Sequence, residues 1–138
     1  MQWKIEPIRD GKILRVTSAG TLTLDDRVEM VKQLLAEAER LGGVRAFLVD
    51  HRGVTVGLST LDIYYMPEIN RGLGLKGNER AAILYTPQQA DDARFYEARA
   101  RNSGFNHRVF LDEAEAVAWL EQADGVRTGP GQVVTRDS

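Results

Sequence analysis

The sequence repeats one pattern four times, and this repeat constrains the fold more than any other feature. Each copy begins with an apolar run, continues with a residue that can cap a helix, and ends in residues with helical spacing. The capping residues are Thr23, Ser59, Thr86 and Asp112. Their side chains can accept hydrogen bonds from free amides at a helix start, and an acid or amide three residues later can bond back. The repeat therefore predicts an alternating α/β domain.

The start of the chain predicts a β-hairpin. Trp3, Ile5 and Pro7 alternate with polar residues, and Asp10 followed by Gly11 separates this run from a second apolar run at residues 13–16. An Asp-Gly pair between two such runs favours a tight turn. Strands joined by a hairpin are antiparallel, so we expect a mixed sheet covered by helices.

The middle of the chain predicts a helix, a short strand and an interrupted helix. Apolar residues at three- and four-residue spacing indicate an amphipathic helix over residues 24–41, ended by two glycines. A buried strand follows at residues 44–49, and residues 50–53 are interpreted as its polar exit. We expect Pro67 to break or kink the next helix near Met66.

Length and composition limit the function. The 138 residues suit one domain, which we place at residues 1–123, with a Gly- and Pro-containing tail at residues 124–138. A net charge of −2 argues against nucleic-acid binding. Without cysteine there is no disulfide or thiolate chemistry, and no apolar run is long enough to form a signal peptide or span a membrane. We expect a cytoplasmic domain.

Three motifs carry only weak chemical signals. Residues 72–77 have the letters of a dinucleotide-binding glycine loop, but they follow a helix and precede a strand, so a helix exit is expected. Asp50, His51 and Ser59 could suggest a hydrolase, yet adjacent strand residues face opposite sides, so Asp50 is badly placed to orient His51. His51 and His107 lack metal-ligand spacing. We therefore predict no cofactor and no metal.

The segment at residues 63–69 combines apolar and aromatic residues with a proline. Core packing explains such a segment most simply. Aromatic residues and Met are also enriched where proteins meet partners. Tyr64, Tyr65 and Met66 are therefore candidates for a binding surface or the wall of a pocket.

Residues 49–60 resemble the central loop of STAS domains, the sulphate-transporter and anti-sigma-factor-antagonist family with the SpoIIAA-like fold. Asp50, Gly53, Val54 and Thr55 match the end of the third strand in that family, and Ser59 matches a serine that signalling members phosphorylate. Residues 108–120 resemble stand-alone bacterial STAS-like proteins of unassigned function. Leu58 and Leu61 stand where signalling members carry Asp and a small residue.

The resemblance implies a non-enzymatic binding or regulatory module for a protein partner or a small ligand, with a homodimer as one form of partner. Its expected site consists of Asp50, His51, Arg52, Ser59, Tyr64, Tyr65 and Met66. Two alternatives remain open at this point. One is a binder of an apolar small molecule or lipid that uses Tyr64, Tyr65 and Met66, and the other is a small hydrolase that uses Ser59 or His51.

Overall fold

A computed structural model describes residues 1–125, so positions 126–138 of the expected tail lie outside the described residues. The strands are β1 (Gln2–Ile8), β2 (Ile13–Leu22), β3 (Ala46–Val56), β4 (Arg80–Leu84) and β5 (Asn106–Phe110). The helices are α1 (Leu24–Arg40), α2 (Thr60–Leu73), α3 (Ala90–Asn102) and α4 (Glu113–Gly125), with a short 3-10 turn at Pro87–Gln89 before α3. The last helix thus continues past residue 123, where we expected the domain to end.

The five strands form one mixed sheet in the order β1-β2-β3-β4-β5. β1 is antiparallel to β2, and the other pairs are parallel. In the hairpin, Ile8 pairs with Ile13, and Arg9 and Asp10 adopt left-handed φ angles of 53° and 57° in the turn. The structure therefore confirms the predicted α/β class, the hairpin and the mixed sheet.

Helices cover both faces of the sheet. On one face, α1 and α3 pack on a core that includes Leu14, Val16, Phe47 and Val49. On the other, α4 packs on the alternate residues of the same strands; this core includes Ile13, Leu48, Leu84, Trp119 and Leu120. The period-2 alternation of strand side chains thus divides the interior into two cores.

The predicted capping residues start the helices. Ser59 and Asp62 form a complete capping box, in which each backbone amide donates to the other side chain at 3.0 Å. The Thr23 side chain accepts from the backbone amide of Asp26, and the Asp112 side chain accepts from that of Ala114. At Thr86, the backbone amide donates to Gln89 Oε1. Local chemistry at these four positions therefore starts helices where the sequence predicts them.

Two expectations about the middle of the chain are wrong. β3 does not end at Val49 but continues to Val56, with one extra residue relative to β2, which produces a bulge: Thr17 pairs with Asp50 and Ala19 with Gly53. α2 also runs through Pro67 without a break and ends at Gly74, whose φ is 113°. The Pro67 side chain is buried, so packing compensates for its missing hydrogen bond.

The second half of β3 extends beyond its neighbour. β4 pairs with β3 only as far as Asp50, which leaves residues 51–56 without a strand on that side in the described part of the chain. The Gln89 side chain occupies this position instead. Its Nε2 donates to the carbonyl oxygens of His51 at 2.9 Å and Val54 at 2.7 Å.

Candidate functional site

The polar residues of β3 lie on opposite faces of the sheet. Asp50 and Arg52 lie on the face that α4 covers, because Arg52 donates to Glu113 of α4 and Asp50 accepts from Arg15, which also bonds Glu113. His51 lines a cavity on the other face. Within residues 1–125, Asp50 makes no hydrogen bond to the His51 side chain. This agrees with the sequence argument that Asp50 is badly placed to orient His51.

Arg15, Asp50, Arg52 and Glu113 form a cluster that we call the charge quartet. Arg15 donates to Asp50 at 2.8 Å and to Glu113 at 2.6 Å, and Arg52 donates to the same carboxylates at 2.9 and 3.1 Å. Burial raises the pKa of Asp50, but hydrogen bonds and charge from Arg52, with the charge of Arg15, outweigh this and hold the pKa below its usual value. Two cations and two anions thus satisfy one another.

A chain of polar side chains lies on the other face. Arg27 Nη1 donates to Asn70 Oδ1 at 2.8 Å, Asn70 Nδ2 donates to Tyr96 Oη at 3.0 Å, and Tyr96 Oη lies 2.7 Å from His107 Nδ1. Burial, followed by the charge of Arg27, lowers the pKa of His107 to about 4. Which of the two atoms, Tyr96 Oη or His107 Nδ1, donates depends on the tautomer of the neutral ring. The other ring nitrogen of His107, Nε2, is buried and has no hydrogen-bond partner among residues 1–125.

His51 belongs to the same face and is half-buried. Its Nδ1 lies 2.7 Å from Ser18 Oγ, and Ser18 Oγ also lies 3.2 Å from the backbone oxygen of Asp50. Burial, and then the charge of Arg27, lowers the pKa of His51 to about 4. Both histidines are therefore neutral at pH 7.

These groups line a cavity of about 120 Å³ between the sheet and helices α1, α2 and α3. Most of its wall is aliphatic, including Met30, Val49 and Ile63. Its polar wall groups include Arg27, His51, Tyr96 and His107. A cleft with mostly apolar walls and a few polar groups is the usual form of a small-molecule site.

The outer face of α2 is apolar at the surface. Leu61, Tyr64 and Tyr65 are 64%, 44% and 50% exposed, and the two tyrosine rings meet edge to face at 5.1 Å. Exposed Ser59 precedes them at the helix start. We call these four residues the α2 patch. By contrast, Met66 is 1% exposed and lines the cavity.

The residues predicted to share one site therefore separate into three places. Asp50 and Arg52 belong to the charge quartet, and His51 and Met66 line the cavity. The remaining three residues belong to the α2 patch: Ser59, Tyr64 and Tyr65. A helix presents neighbouring residues on different sides, which separates Met66 from the tyrosines. The hydrolase alternative lacks its pairing, because Ser59 Oγ accepts from Asp62 N and bonds neither His51 nor Asp50 in the described residues.

The backbone amides of the glycine-rich loop after α2 already have a hydrogen-bond acceptor within the protein. Glu79 is buried, and its carboxylate accepts from the backbone amides of Lys76 and Gly77 at 3.0–3.1 Å. Such amides are the groups that would hold a phosphate in a nucleotide site. Here the side chain of the protein itself occupies them, which agrees with the predicted helix exit.

Sequence reasoning missed Arg15, Ser18, Arg27 and Asn70 as site residues. Arg27 and Asn70 carried no signal beyond their helical position, since each meets its partner only through the tertiary fold. Within residues 1–125, no cluster of three or more His, Asp or Glu side chains could hold a metal ion. The same residues include no helix long and apolar enough to cross a membrane.

Comparison with solved structures identifies the fold. The chain matches an uncharacterised DUF3478-family protein from Shewanella loihica PV-4, which has a SpoIIAA-like fold, with 25% identity over 86% of this chain and 92% of that one, at a TM-score of 0.56. An anti-sigma factor antagonist from Mycobacterium paratuberculosis is 10% identical over 87% and 93%, at a TM-score of 0.60. The anti-sigma factor antagonist SpoIIAA in its unphosphorylated form is 15% identical over 87% and 98%, at 0.52.

No protein-family model matches the sequence, and comparison with curated proteins finds no match. The structural likeness spans most of this chain and nearly all of each matched chain. It includes the N-terminal hairpin and the alternating helices and strands. The chain thus has the SpoIIAA-like fold.

Proposed function

We propose that this protein is a regulatory module that binds a protein partner through the α2 patch. The observation that carries the proposal is the distribution of exposed large hydrophobic residues. In the described part of the chain there are four of them, and Leu61, Tyr64 and Tyr65 lie within five consecutive residues of one helix. A cluster of this kind is characteristic of an interaction surface rather than of scattered surface residues.

The chemistry of the patch suits a protein partner. Tyrosine provides a large contact area at a low cost in side-chain entropy, and Tyr and Arg are enriched at the centres of interfaces. Arg99 stacks on the Tyr64 ring with its Cζ 4.0 Å from the centroid and lies 3.8 Å from Glu68. The patch therefore has an aromatic centre with charged groups at its edge. Two of the matched structures are anti-sigma factor antagonists, which supports a protein-binding role.

Phosphorylation of Ser59 is the proposed regulation of this surface. A phosphate would add about −1.5 to −2 charges at pH 7. It would lie at the positive end of α2, which the fold tolerates, but also beside the Asp62 carboxylate and the aromatic patch. The charge would therefore alter partner binding more than folding.

The binding test compares three immobilised proteins in extract from the source cells: wild type, Leu61→Asp/Tyr65→Asp, and Leu111→Asp. Leu111 is 53% exposed but lies outside the patch, so it is the matched control. We expect a partner that the double variant loses and the control keeps, with at least tenfold weaker binding when that purified partner is titrated. Equal binding to all three proteins would contradict the proposed surface.

The regulatory test compares Ser59→Asp with Ser59→Asn. Both residues cap helices, and they differ mainly in charge. Regulation predicts that only Ser59→Asp changes partner binding, while both variants melt near the wild-type temperature. Identical partner affinity for the two variants would contradict a phosphorylation switch.

The proposed module acts by binding and not by catalysis. Among residues 1–125, the Ser59 hydroxyl has no histidine partner, and Ser18, which contacts His51, is only 3% exposed. A nucleophilic serine needs both an activating base and access to substrate. We expect background rates with ester, phosphoester and amide substrates. Turnover that His51→Ala or Ser59→Ala abolishes would contradict a non-enzymatic role.

A further inference from the structure

We propose that the cavity beneath α1, α2 and α3 is a binding site for a small monocarboxylic acid with a compact apolar body, and that Arg27 binds its carboxylate. This site is separate from the α2 patch, and it does not depend on the proposed partner. Three observations carry the proposal: the volume and lining of the cavity, and, within residues 1–125, the lack of an acidic partner for Arg27 and of a hydrogen-bond partner for His107 Nε2.

The volume determines the size of the ligand. An apolar cavity of about 150 Å³ in another protein binds benzene, so 120 Å³ suits a single ring or a short branched chain. Side chains around an empty space lack dispersion contacts on that side. A compact hydrocarbon group would restore those contacts to wall residues such as Met30, Val49 and Ile63.

Arg27 determines the charge of the ligand. Within residues 1–125 it donates to the neutral amide of Asn70 and lies 5.7 Å from the centroid of the Tyr96 ring, but it forms no ion pair with a carboxylate. Burial lowers the pKa of Arg27, and the charge and hydroxyl of Tyr96 oppose this effect. Asp92 also lines the cavity, but it is exposed and not paired with Arg27. A guanidinium binds a carboxylate with two parallel hydrogen bonds, so an acid would supply the missing partner.

The neighbouring groups favour the same ligand. His51 and His107 are neutral at pH 7, so neither adds a charge that would compete with Arg27. The Nδ1 of His107 lies 2.7 Å from Tyr96 Oη, and its buried Nε2 has no hydrogen-bond partner among residues 1–125. In the tautomer that carries its proton on Nε2, this nitrogen would donate to a carboxylate oxygen of the ligand.

The test uses benzoate as the probe, followed by amide chemical shifts in NMR titrations of the full chain. Benzyl alcohol has the same ring without the charge, and acetate has the charge without the ring. We expect benzoate to shift amides of cavity residues and to bind at least tenfold more tightly than either comparison molecule. Absence of shifts at the cavity, or equal binding of benzyl alcohol and benzoate, would overturn the proposal.

Two variants locate the site. Arg27→Gln is expected to weaken benzoate binding at least tenfold and to leave benzyl alcohol binding within twofold, whereas Arg108→Gln, an exposed arginine outside the cavity, changes neither. Ala93→Leu keeps Arg27 but fills space at the cavity wall, and it is expected to abolish binding of both ring compounds. Thermal melts confirm that each variant is folded. Unchanged benzoate affinity in a folded Arg27→Gln or Ala93→Leu protein would overturn the assignment.

Discussion

The two faces of the sheet differ in whether their charged side chains have oppositely charged partners. On the α4 face, Arg15 and Arg52 each meet both Asp50 and Glu113, so every charged group has an oppositely charged partner. On the cavity face, Arg27 donates to the amide of Asn70 and lies 5.7 Å from the centroid of the Tyr96 ring but has no acidic partner, and a histidine nitrogen stays unsatisfied, in the described residues. A complete network contributes to stability, whereas an incomplete one leaves groups available for a ligand.

This difference arises within a few residues of one strand. Asp50 and Arg52 point to the first face and His51 to the second, so the sequence places structural and candidate binding groups side by side. The residue types alone do not separate the two roles. The partners do, and they come from distant parts of the chain.

The largest expected effect is on the complete network. Asp50→Ala removes the carboxylate that both arginines share and leaves Arg15, whose side chain is 16% exposed, with less compensation. Arg15 keeps Glu113 as a partner, so the loss is that of the hydrogen bonds from Arg15 and Arg52 to Asp50. Hydrogen bonds to charged groups are worth about 1.5–3 kcal/mol each, so we expect the free energy of unfolding by urea to decrease by about 3 kcal/mol. A shift of the midpoint no larger than that of the surface variant Glu37→Ala would contradict the role assigned to the quartet.

Acid should destabilise the cavity face first. His107 has a folded pKa of about 4 against 6.5 for an ordinary histidine, so below pH 6.5 the unfolded chain binds a proton that the folded chain excludes. Stability therefore falls as the pH decreases from 6.5 to 4, by about 3 kcal/mol for this residue. Urea denaturation at a series of pH values should show this slope, with about half of it remaining in His107→Gln because His51 shifts in the same direction.

The charge quartet should respond at lower pH. The pKa values of Asp50 and Glu113 are held below their usual values, so the stability that they contribute is present above those usual values and is lost as the pH falls through the folded ones. Acid should therefore affect the two faces in separate pH ranges. An unchanged slope between pH 6.5 and 4 in His107→Gln would contradict this separation.

A smaller effect is expected at the start of α2, the helix that covers the cavity face. Ser59→Ala removes the side-chain half of the capping box, and such a loss typically costs about 1 kcal/mol. Thermal or urea melts measure it, with the neighbouring exposed Thr60→Ala as control. If Ser59→Ala melts like wild type, the cap does not explain this serine, and a role in binding gains support.

The smallest effect is expected where the network is incomplete. Arg27→Met keeps the apolar stem and removes a charge that has no ionic partner in the described residues, at the expense of one hydrogen bond to Asn70. Relief of the buried charge offsets the lost bond, so we expect a change below about 1 kcal/mol. A loss as large as that of Asp50→Ala would remove the distinction between the two faces.

The fold was predictable where it depends on local chemistry. Caps such as Ser59, and the turn at Gly11, act through neighbours within a few residues, and the structure confirms them. The length of β3 was not predictable in this way, since its polar second half is held by β2 and by Gln89. Pro67 likewise stays helical because of packing that no local rule describes.

The sequence allowed a prediction of which residue types form the site but not of which residues they contact. Asp50, His51 and Arg52 stood out as polar residues beside a buried run, yet their roles depend on Arg15 from an earlier strand and Glu113 from the last helix. The cavity network joins α1, α2, α3 and β5, and no spacing within any one of these elements indicates it.

The position of Gln89 has a consequence for pairing between the exposed strand edges of two molecules. A strand that extends past its neighbour presents free backbone groups on which a foreign strand can add, which is a common route to aggregation. Here the amide of Gln89 already occupies two carbonyl oxygens of that free edge, those of His51 and Val54. A single side chain thus takes the place of a missing strand, and it protects the long strand β3 from edge-to-edge pairing.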